Sequence, residues 1–501
     1  MREAMPNAPL NAPQPFYFRA ALGLIALGTI FHLVYSTHLE LVGDEAYYWL
    51  WSRHPDISYL DKGPMIAWLI WAGTALFGST VFGVRFFAVL LAGGTGLAVL
   101  LLARRLFSDR VGFWAVVIAT VVPLFAVGAS LMTIDTVYVF FWSWAALVFW
   151  RAKDGPRLSL WILAGVLVGL GLLSKYTAAL ELISFALFCL WNRPSRVHLR
   201  RATFWSMVAT ALLFLLPAIV WNQQHHWPTS DWLLHRGALD QGGAGIHPGY
   251  LLAFLGEQAG VFSPLFFLGL LFLLFRPSRL GMAQPATAFA VALFLPLFGL
   301  YLVLSIHYMG PPNWTAAAYI GGIILLAAKW LELAATRRWA RQLALAALLL
   351  AALETAILLE TRWLHLPPKV DPLDRARGSR VLAAEVAQRE KSSGAQFVIA
   401  DNYMTAALLS FYLPGQPETF VPRADRPLNQ MELWSTYDEQ FPTGDALIVA
   451  KRRKLGRWFR QGFAQCKALG PFEVVDGQRK IARFYLFLGV RAHPFGSGST
   501  R

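Results

Sequence analysis

Residues 42–49 read VGDEAYYW, from Val42 to Trp49. Two adjacent carboxylates, Asp44 and Glu45, stand directly after an apolar run that begins near Phe16 and directly before the rings of Tyr47, Tyr48 and Trp49. Charge near a bilayer is costly, so the meaning of this stretch depends on its flanks. Apolar runs recur along most of the chain, at 17–36, 65–103, 111–150, 159–191, 202–221, 250–275, 284–306, 313–330 and 342–364. The composition agrees: of 501 residues, 56% are hydrophobic and 15% charged, with a mean hydropathy of +0.47. Soluble chains are less apolar and more charged. The chain therefore reads as a polytopic α-helical membrane protein. The run 111–150 fits two spans with a turn near Gly128, and 159–191 fits two with a turn near Lys175. The run 65–103 fits a short interfacial helix followed by one span. At ~20 residues per crossing this predicts about eleven transmembrane helices.

The formal net charge is +15. Nucleic-acid binding is a poor account of it, because the cations cluster in short loops between apolar runs. The clusters are Arg104, Arg105 and Arg110, then Arg151, Lys153 and Arg157, then Arg193, Arg196, Arg200 and Arg201, then Arg276 and Arg279, then Lys329, Arg337, Arg338 and Arg341. With the spans counted as above they share one side, which the positive-inside rule makes cytoplasmic, together with the N-terminus. The first apolar run lacks a small-residue cleavage site and reads as an uncleaved span. On the opposite side lie the outer loops 37–64 and 222–249 and, after Leu364, a polar tail. The predicted division is a transmembrane unit over 1–364 and a small extracytoplasmic α/β domain over 365–501. Within the tail, Phe397–Ala400, Ala446–Ala450 and Ile481–Val490 read as strands and Thr405–Leu413 as a helix. Cys189 and Cys466 fall in different environments, so neither a disulfide nor a cysteine metal site is expected.

This topology gathers charge at one level of one face. Asp44 and Glu45 lie there, as do Asp61 and Lys62 of SYLDKGPMIAW, Asp135 of LMTIDTVY and Lys175 of LLSKYTAAL. Each has a plain structural alternative. Asp44 and Glu45 suit the N-terminus of an interfacial helix. Tyr47, Tyr48, Trp49 and Trp51 suit an aromatic belt. Asp61 and Lys62 suit a surface pair, and Lys175 can snorkel. Asp135, an acid inside a span, needs a partner. Taken together the mixed signs suit displacement of a phosphate: Lys62 and Lys175 beside the leaving group, and Asp44 or Asp61 to take a proton from an incoming hydroxyl. Glu45, Tyr48 and Arg53 are candidates for substrate contact. The adjacent His225 and His226 point different ways and have no matching ligand set, so no metal site is assigned. His247 and His307 read as loop residues, Pro311–Trp314 as shaping the cavity mouth, and Tyr403 and NQMELW as either packing or a cover over a sugar.

The stretches GDEAYYWLWS, SYLDKGPMIAWL, LMTIDTVY, LLSKYTAAL, GEQAGVFSPL, HYMGPPNWTA and DNYMTAALLSFYLPGQP, with NQMELW, resemble in order and spacing the polyprenyl-phosphate-sugar-dependent glycosyltransferases of the GT-C fold. The resemblance covers nearly the whole chain. It is strongest to the bacterial branch near protein O-mannosyltransferases and the lipid A aminoarabinose and galacturonic acid transferases. It implies a GT-C fold and a bacterial inner-membrane enzyme whose active site faces the periplasm. It also implies an undecaprenyl-phosphate-linked sugar donor and a glycolipid or glycan acceptor such as lipid A or lipopolysaccharide. Under it Asp44 matches the catalytic acid of the first outer loop, Asp61–Lys62 the acid–Lys pair near the donor phosphate, Asp135 the acid after the third span, and Lys175 a cavity lysine. Two departures stand out: Gly63-Pro64 replaces a frequent Pro-Pro, and the acid of the pair is Asp where relatives often carry Glu.

Other classes compete. A protein O-glycosyltransferase would share the donor. A flippase for lipid-linked sugar would line its path with charge through the membrane midplane, between related halves, whereas here the charges collect on one side and a sizeable polar domain follows. A membrane scaffold would use the charges structurally. The sequence leaves open the sugar, the acceptor and any dependence on divalent cations; no cofactor is expected. A uronic acid donor would need a cation near its carboxylate, for which Arg53 and Arg236 are candidates.

Overall fold

Each apolar run of the sequence is helical, and the breaks fall where prolines and turn residues put them. The computed structural model describes residues 14–155, 157–230, 245, 247–276, 280–367, 370–423, 427–477 and 479–493. The first helix, α1 (Pro15–Tyr35), leads through the outer loop to α2 (Gly43–Arg53) and α3 (Met65–Phe77). The long α4 (Val81–Leu106) returns to Arg104 and Arg105. The hairpin expected over 111–150 consists of α5 (Asp109–Val121) and α6 (Pro123–Gly128), followed by α7 (Ile134–Ala152). The next is α8 (Leu158–Leu172) and α9 (Ala179–Trp191), with a short 3₁₀ turn at Tyr176–Ala178 directly after Lys175. Then come α10 (Ala202–Leu213), α11 (Leu216–Gln224), α12 (Pro248–Phe262), α13 (Pro264–Leu274), α14 (Pro285–Leu304), α15 (Ala318–Thr336) and α16 (Arg338–Leu359).

One expectation needs correction. The run 250–275 is not one straight span: α12 and α13 meet at 116°. Pro264 disfavours a helical conformation for Ser263, which sits at φ +67°. The structure gives a coarser count of crossings than the eleven expected from the sequence. Among the described residues six helices are long and apolar enough to cross a membrane, with α10 and α11 taken as one, or seven if the bent pair α12 and α13 also counts as one span. Three further apolar helices, Met65–Phe77, Leu158–Leu172 and Tyr176–Trp191, are shorter.

The polar tail carries a four-stranded sheet of order β1-β2-β4-β3. Its strands are β1 (Phe397–Ala400), β2 (Ala446–Ala450), β3 (Phe463–Asp476) and β4 (Arg479–Ala492). β1 and β2 are parallel, while β4 runs antiparallel to both β2 and β3. Sequence patterning finds β1, β2 and most of β4, which are rich in buried apolar residues. It misses β3, a largely exposed edge strand interrupted by Gly470 and Pro471. The helix α17 (Ser379–Ser393) precedes β1, and α18 (Tyr403–Tyr412) follows it. One apolar core runs from α2 and α3 through α18 into the sheet, joining Trp49, Trp51 and Ile66 to Leu409, Phe411 and Leu447.

The outer loop is tied to the bundle by a buried ion pair. Glu45 of α2 is 0% exposed and Arg85 of α4 is 1% exposed. The guanidinium donates through Nε and Nη2 to the two Glu45 oxygens at 2.8 and 2.6 Å. Its remaining donors reach the carbonyl oxygens of Ser36 (2.7 Å), Leu39 (3.0 Å) and Glu40 (2.8 Å). All five guanidinium donors are used. Glu45 also accepts the backbone N–H groups of Val42 (3.0 Å) and Met132 (2.8 Å), so three chain segments, the start of α2, α4 and the turn before α7, converge on one carboxylate. Removing one member leaves a buried charge unpaired, at a cost of about 3–5 kcal/mol. Arg85→Met is therefore expected to lower the unfolding midpoint of the detergent-solubilised protein sharply, and the double variant with Glu45→Gln to recover part of that loss. A midpoint unchanged in Arg85→Met would refute the clamp.

Candidate active site

The Glu45–Arg85 clamp fixes the adjacent residue, Asp44, in the first turn of α2. A helix N-terminus favours a carboxylate there. The backbone at Gly43 lies against the C-terminal unit, where a Cβ would come within 2.5 Å of the Met404 Cβ. Only a glycine admits this approach, which brings α2 and the start of α18 together. Among the described residues no hydrogen bond to the Asp44 carboxylate is formed. Burial pushes its carboxyl above the ordinary range; Arg375 and Lys62 oppose that, and the Asp61 and Glu45 carboxylates add to it.

Asp61 and Lys62 form the second element. The Lys62 ammonium donates to the Asp61 carboxylate and to its carbonyl oxygen, both at 3.0 Å. The loop carrying them is held from several sides. Trp221 of α11 donates to Asp56 at 2.8 Å, Gln430 accepts the Leu60 N–H at 2.7 Å, and the Tyr47 hydroxyl accepts the Gln430 N–H at 2.6 Å. The departure at Gly63 has a steric cause. A Cβ there would sit 2.0 Å from the Leu173 carbonyl oxygen, which accepts the Met65 N–H at 3.1 Å. Gly63 thus lets the loop dock on the turn that ends in Lys175.

Asp135 and Lys175 form the third. They are 7% and 8% exposed and pair at 2.8 Å. The other Asp135 oxygen accepts from the Asn313 amide at 2.5 Å. The turns bearing the pair are stitched by Ser174, whose hydroxyl donates to the Ile134 carbonyl at 2.9 Å. The rings of Tyr138, Tyr301 and Trp314 surround the Lys175 ammonium at 5.5–5.9 Å, a cation–π arrangement that holds it in one place.

A cavity of about 1160 Å³ joins all three elements. Asp44, Tyr48, Asp61, Lys62, Asp135 and Lys175 line it. Its opposite reach has walls of Leu24, Ile25, Val89, Val99 and Val116, from α1, α4 and α5. Two sequence candidates lie apart. Glu45 faces Arg85 with both oxygens occupied, and Arg53 donates to the Gln416 carbonyl at 2.8 Å and covers the Trp49 ring. Arg236 lies outside the described residues. Sequence reasoning missed Tyr301 and Arg375, both cavity-lining. It took Asn313 and Trp314 only as part of the mouth, although an acid within a span calls for a hydrogen-bonding partner such as Asn313. His225 stacks on Trp221, and His307 contacts the Gly245 carbonyl. Among the described residues no group of three or more His, Cys, Asp or Glu is arranged to hold a metal ion.

The close approach at Gly63 makes a stability prediction. Gly63→Ala forces the loop off the Leu173 turn and is expected to cost about 1–3 kcal/mol, as overpacking does. Denaturation in detergent reads this directly. A variant as stable as the parent would show that the contact is not needed.

Residues 61–221 match the family profile described as dolichyl-phosphate-mannose-protein mannosyltransferase. The chain is 27% identical over 402 residues to the lipid A galacturonosyltransferase RgtD of Rhizobium johnstonii, spanning 79% of this chain and 82% of that one. It is 29% identical over 237 residues to the undecaprenyl phosphate-alpha-4-amino-4-deoxy-L-arabinose arabinosyl transferase of Pseudomonas aeruginosa, over 43% of each chain. Among solved structures, ArnT from Cupriavidus metallidurans superposes with a TM-score of 0.59 at 15% identity in its apo state, covering 93% of this chain and 97% of that one. The same protein bound to undecaprenyl phosphate gives a TM-score of 0.58 at 17% identity over the same shares. The archaeal oligosaccharyltransferase AglB from Archaeoglobus fulgidus gives 0.53 at 13% identity, over 87% of this chain and 69% of that one. Fold and sequence likeness agree with the motif order: the chain has the fold of these membrane transferases and is similar in sequence to a glycosyltransferase over most of its length.

Proposed function

We propose that this protein transfers a sugar from an undecaprenyl-phosphate carrier to a glycolipid or glycan acceptor, lipid A or lipopolysaccharide foremost. The observation that carries this reading is the cavity shared by the three charged elements. It puts two lysines and three acids at one end and an apolar passage along the first spans at the other. A polyprenyl phosphate sugar has that same division, an anionic head on an apolar tail. In this reading about eleven crossings place the N-terminus in the cytoplasm. Residues 1–364 form the catalytic unit, residues 365–501 a periplasmic α/β domain, and the site opens to the periplasm from the inner membrane.

The chemistry then follows from the charges. The acceptor oxygen attacks the anomeric carbon from the face opposite the phosphate. The bond from that carbon to the phosphate oxygen breaks, its electron pair stays on the phosphate, and the configuration inverts in one step. Lys62 and Lys175 stabilise the growing phosphate charge. Both already face aspartates, which hold the ammonium groups in position while the site is empty of donor. Asp44 accepts the proton of an acceptor hydroxyl, a step that contributes typically 10²–10⁴-fold. For a phosphate acceptor, already a nucleophile, Asp44 orients the acceptor instead. Asp61 and Asp135 set the two lysines, and Tyr48 lies against the sugar. The names of the similar proteins, a lipid A galacturonosyltransferase and an undecaprenyl phosphate-aminoarabinose transferase, support the substrate class.

The direct test is mass spectrometry of envelope lipids from the parent strain, a deletion strain, and the deletion carrying Asp44→Asn at normal abundance. The expected result is accumulation of one polyprenyl-phosphate sugar, and loss of that same sugar from one glycoconjugate, in both defective strains. Restoration of the parent pattern by Asp44→Asn would remove Asp44 from the chemistry. The pH–rate profile gives a second check. Because burial raises the Asp44 carboxyl, the reactive carboxylate is lost as pH falls toward that raised value. With a hydroxyl acceptor, kcat/KM should therefore show an ascending limb above the ordinary carboxylate range of about 4. A flat profile through that region would indicate orientation rather than proton transfer.

A further inference from the structure

Most ionisable groups of the cavity are spoken for, and two are not. Lys62 faces Asp61, Lys175 faces Asp135, and Arg85 faces Glu45. Arg375 also lines the cavity. Among the described residues it forms no ion pair or hydrogen bond, and neither does Asp44, the acid at the same end. A cation and a carboxylate thus border one space without touching.

The backbone that delivers Arg375 is held rigidly. It belongs to a 3₁₀ turn, Asp374–Ala376, pinned on both sides. Asp371 accepts from the Thr361 hydroxyl (2.7 Å), the Leu373 N–H (2.9 Å) and Arg479 (2.8 Å). Asp374 accepts from Arg479 at 2.9 Å, and Arg377 bonds Glu360 at 3.0 Å. The Ala376 carbonyl accepts the Glu40 N–H at 3.1 Å, which joins the turn to the segment just before α2. Every neighbouring charge is spent on this scaffold, while the Arg375 side chain is left to the cavity. With its backbone held in place, Arg375 offers a planar or tetrahedral oxyanion a two-pronged donor set.

We infer that Arg375 is a specificity-determining residue that binds an anionic oxygen group of the substrate at the Asp44 end of the cavity, either the carboxylate of a uronic acid on the donor or a phosphate on the acceptor. This rests on the glycosyl-transfer reading above and narrows its substrate class. It also moves the carboxylate-recognising role from Arg53, which is bonded to the Gln416 carbonyl, to a residue inside the cavity.

The test uses the full-length protein in lipid nanodiscs, as parent, Arg375→Gln and Arg375→Lys. Transfer is measured with two undecaprenyl-phosphate donors, one carrying galacturonic acid and one galactose, and with two acceptors, lipid A with and without its phosphates. Loss of one charge-assisted pair predicts a fall of about 10–100-fold in kcat/KM for the substrate bearing the recognised anion, relative to its neutral counterpart. Arg375→Lys should retain part of the preference. A loss that follows the donor carboxylate assigns the anion to the donor, and a loss that follows the acceptor phosphate assigns it to the acceptor. Equal loss in all pairings, or none, overturns the inference. Each donor and each acceptor is also added singly, and the rise in unfolding midpoint recorded, which needs no turnover. If the parent transfers neither sugar, these two donors are not its substrates and the midpoint shifts alone decide. Arg375 still stands if the galacturonic acid donor or the phosphorylated acceptor stabilises the parent more than Arg375→Gln while its neutral counterpart does not, and falls if the two proteins respond alike.

Discussion

The bidentate contact between Glu45 and Arg85 is the constraint on which the site depends. It joins an outer loop to a long helix and gathers the carbonyls of Ser36, Leu39 and Glu40 and the N–H of Met132 around one pair of charges. Such a pair does little for net stability compared with well-packed apolar groups of the same shape. What it provides here is direction. Wrong packings of the outer loop would strand a carboxylate or a guanidinium in apolar surroundings, so few alternatives compete with this one. Asp44 inherits its position from that selection, being the next residue along the chain.

The other two charge pairs follow the same logic at shorter range. Gly63 lets the Asp61–Lys62 loop lie on the Leu173 turn, and Ser174 ties that turn to the start of α7. The lysines are therefore located by backbone contacts at their own feet. The aspartates and the aromatic box around Lys175 settle only where the ammonium groups point. A site assembled in this way can take in a charged ligand without first rearranging the helices that carry it.

Much of this was legible in the residues. Span-length apolar runs, positive loops and acids at the ends of spans led to the helical bundle and to Asp44, Asp61, Lys62, Asp135 and Lys175 as neighbours around one cavity. Glu45 shows where such reading fails. It carries the same charge as Asp44 and sits beside it, but on a helix adjacent residues face different ways. The signal that separates them was the lone Arg85 in VFGVRFF, a cation in an apolar run that demands a buried acid. The sharp bend at Ser263 was masked by continuous hydropathy, since Pro264 is its only mark. Arg375 could not be found at all. Its value comes from the sheet and the clamp that hold its turn against α2, more than 300 residues away in sequence, and nothing local distinguishes it from other arginines of the tail.

The exposure of α1 has a consequence of its own. Only 6% of its most apolar window is buried within the protein, yet Leu24, Ile25, Gly28 and His32 on the same helix line the cavity. One helix thickness, roughly 10 Å, separates the interior from whatever surrounds the bundle. A molecule with a long hydrocarbon tail would reach the interior without ever being dissolved in water. Its supply would be set by surface density, in molecules per unit area of bilayer, and diluted by the bulk phospholipid. Saturation would then follow mole fraction in the membrane, and the amount of lipid in an experiment would act as a solvent volume.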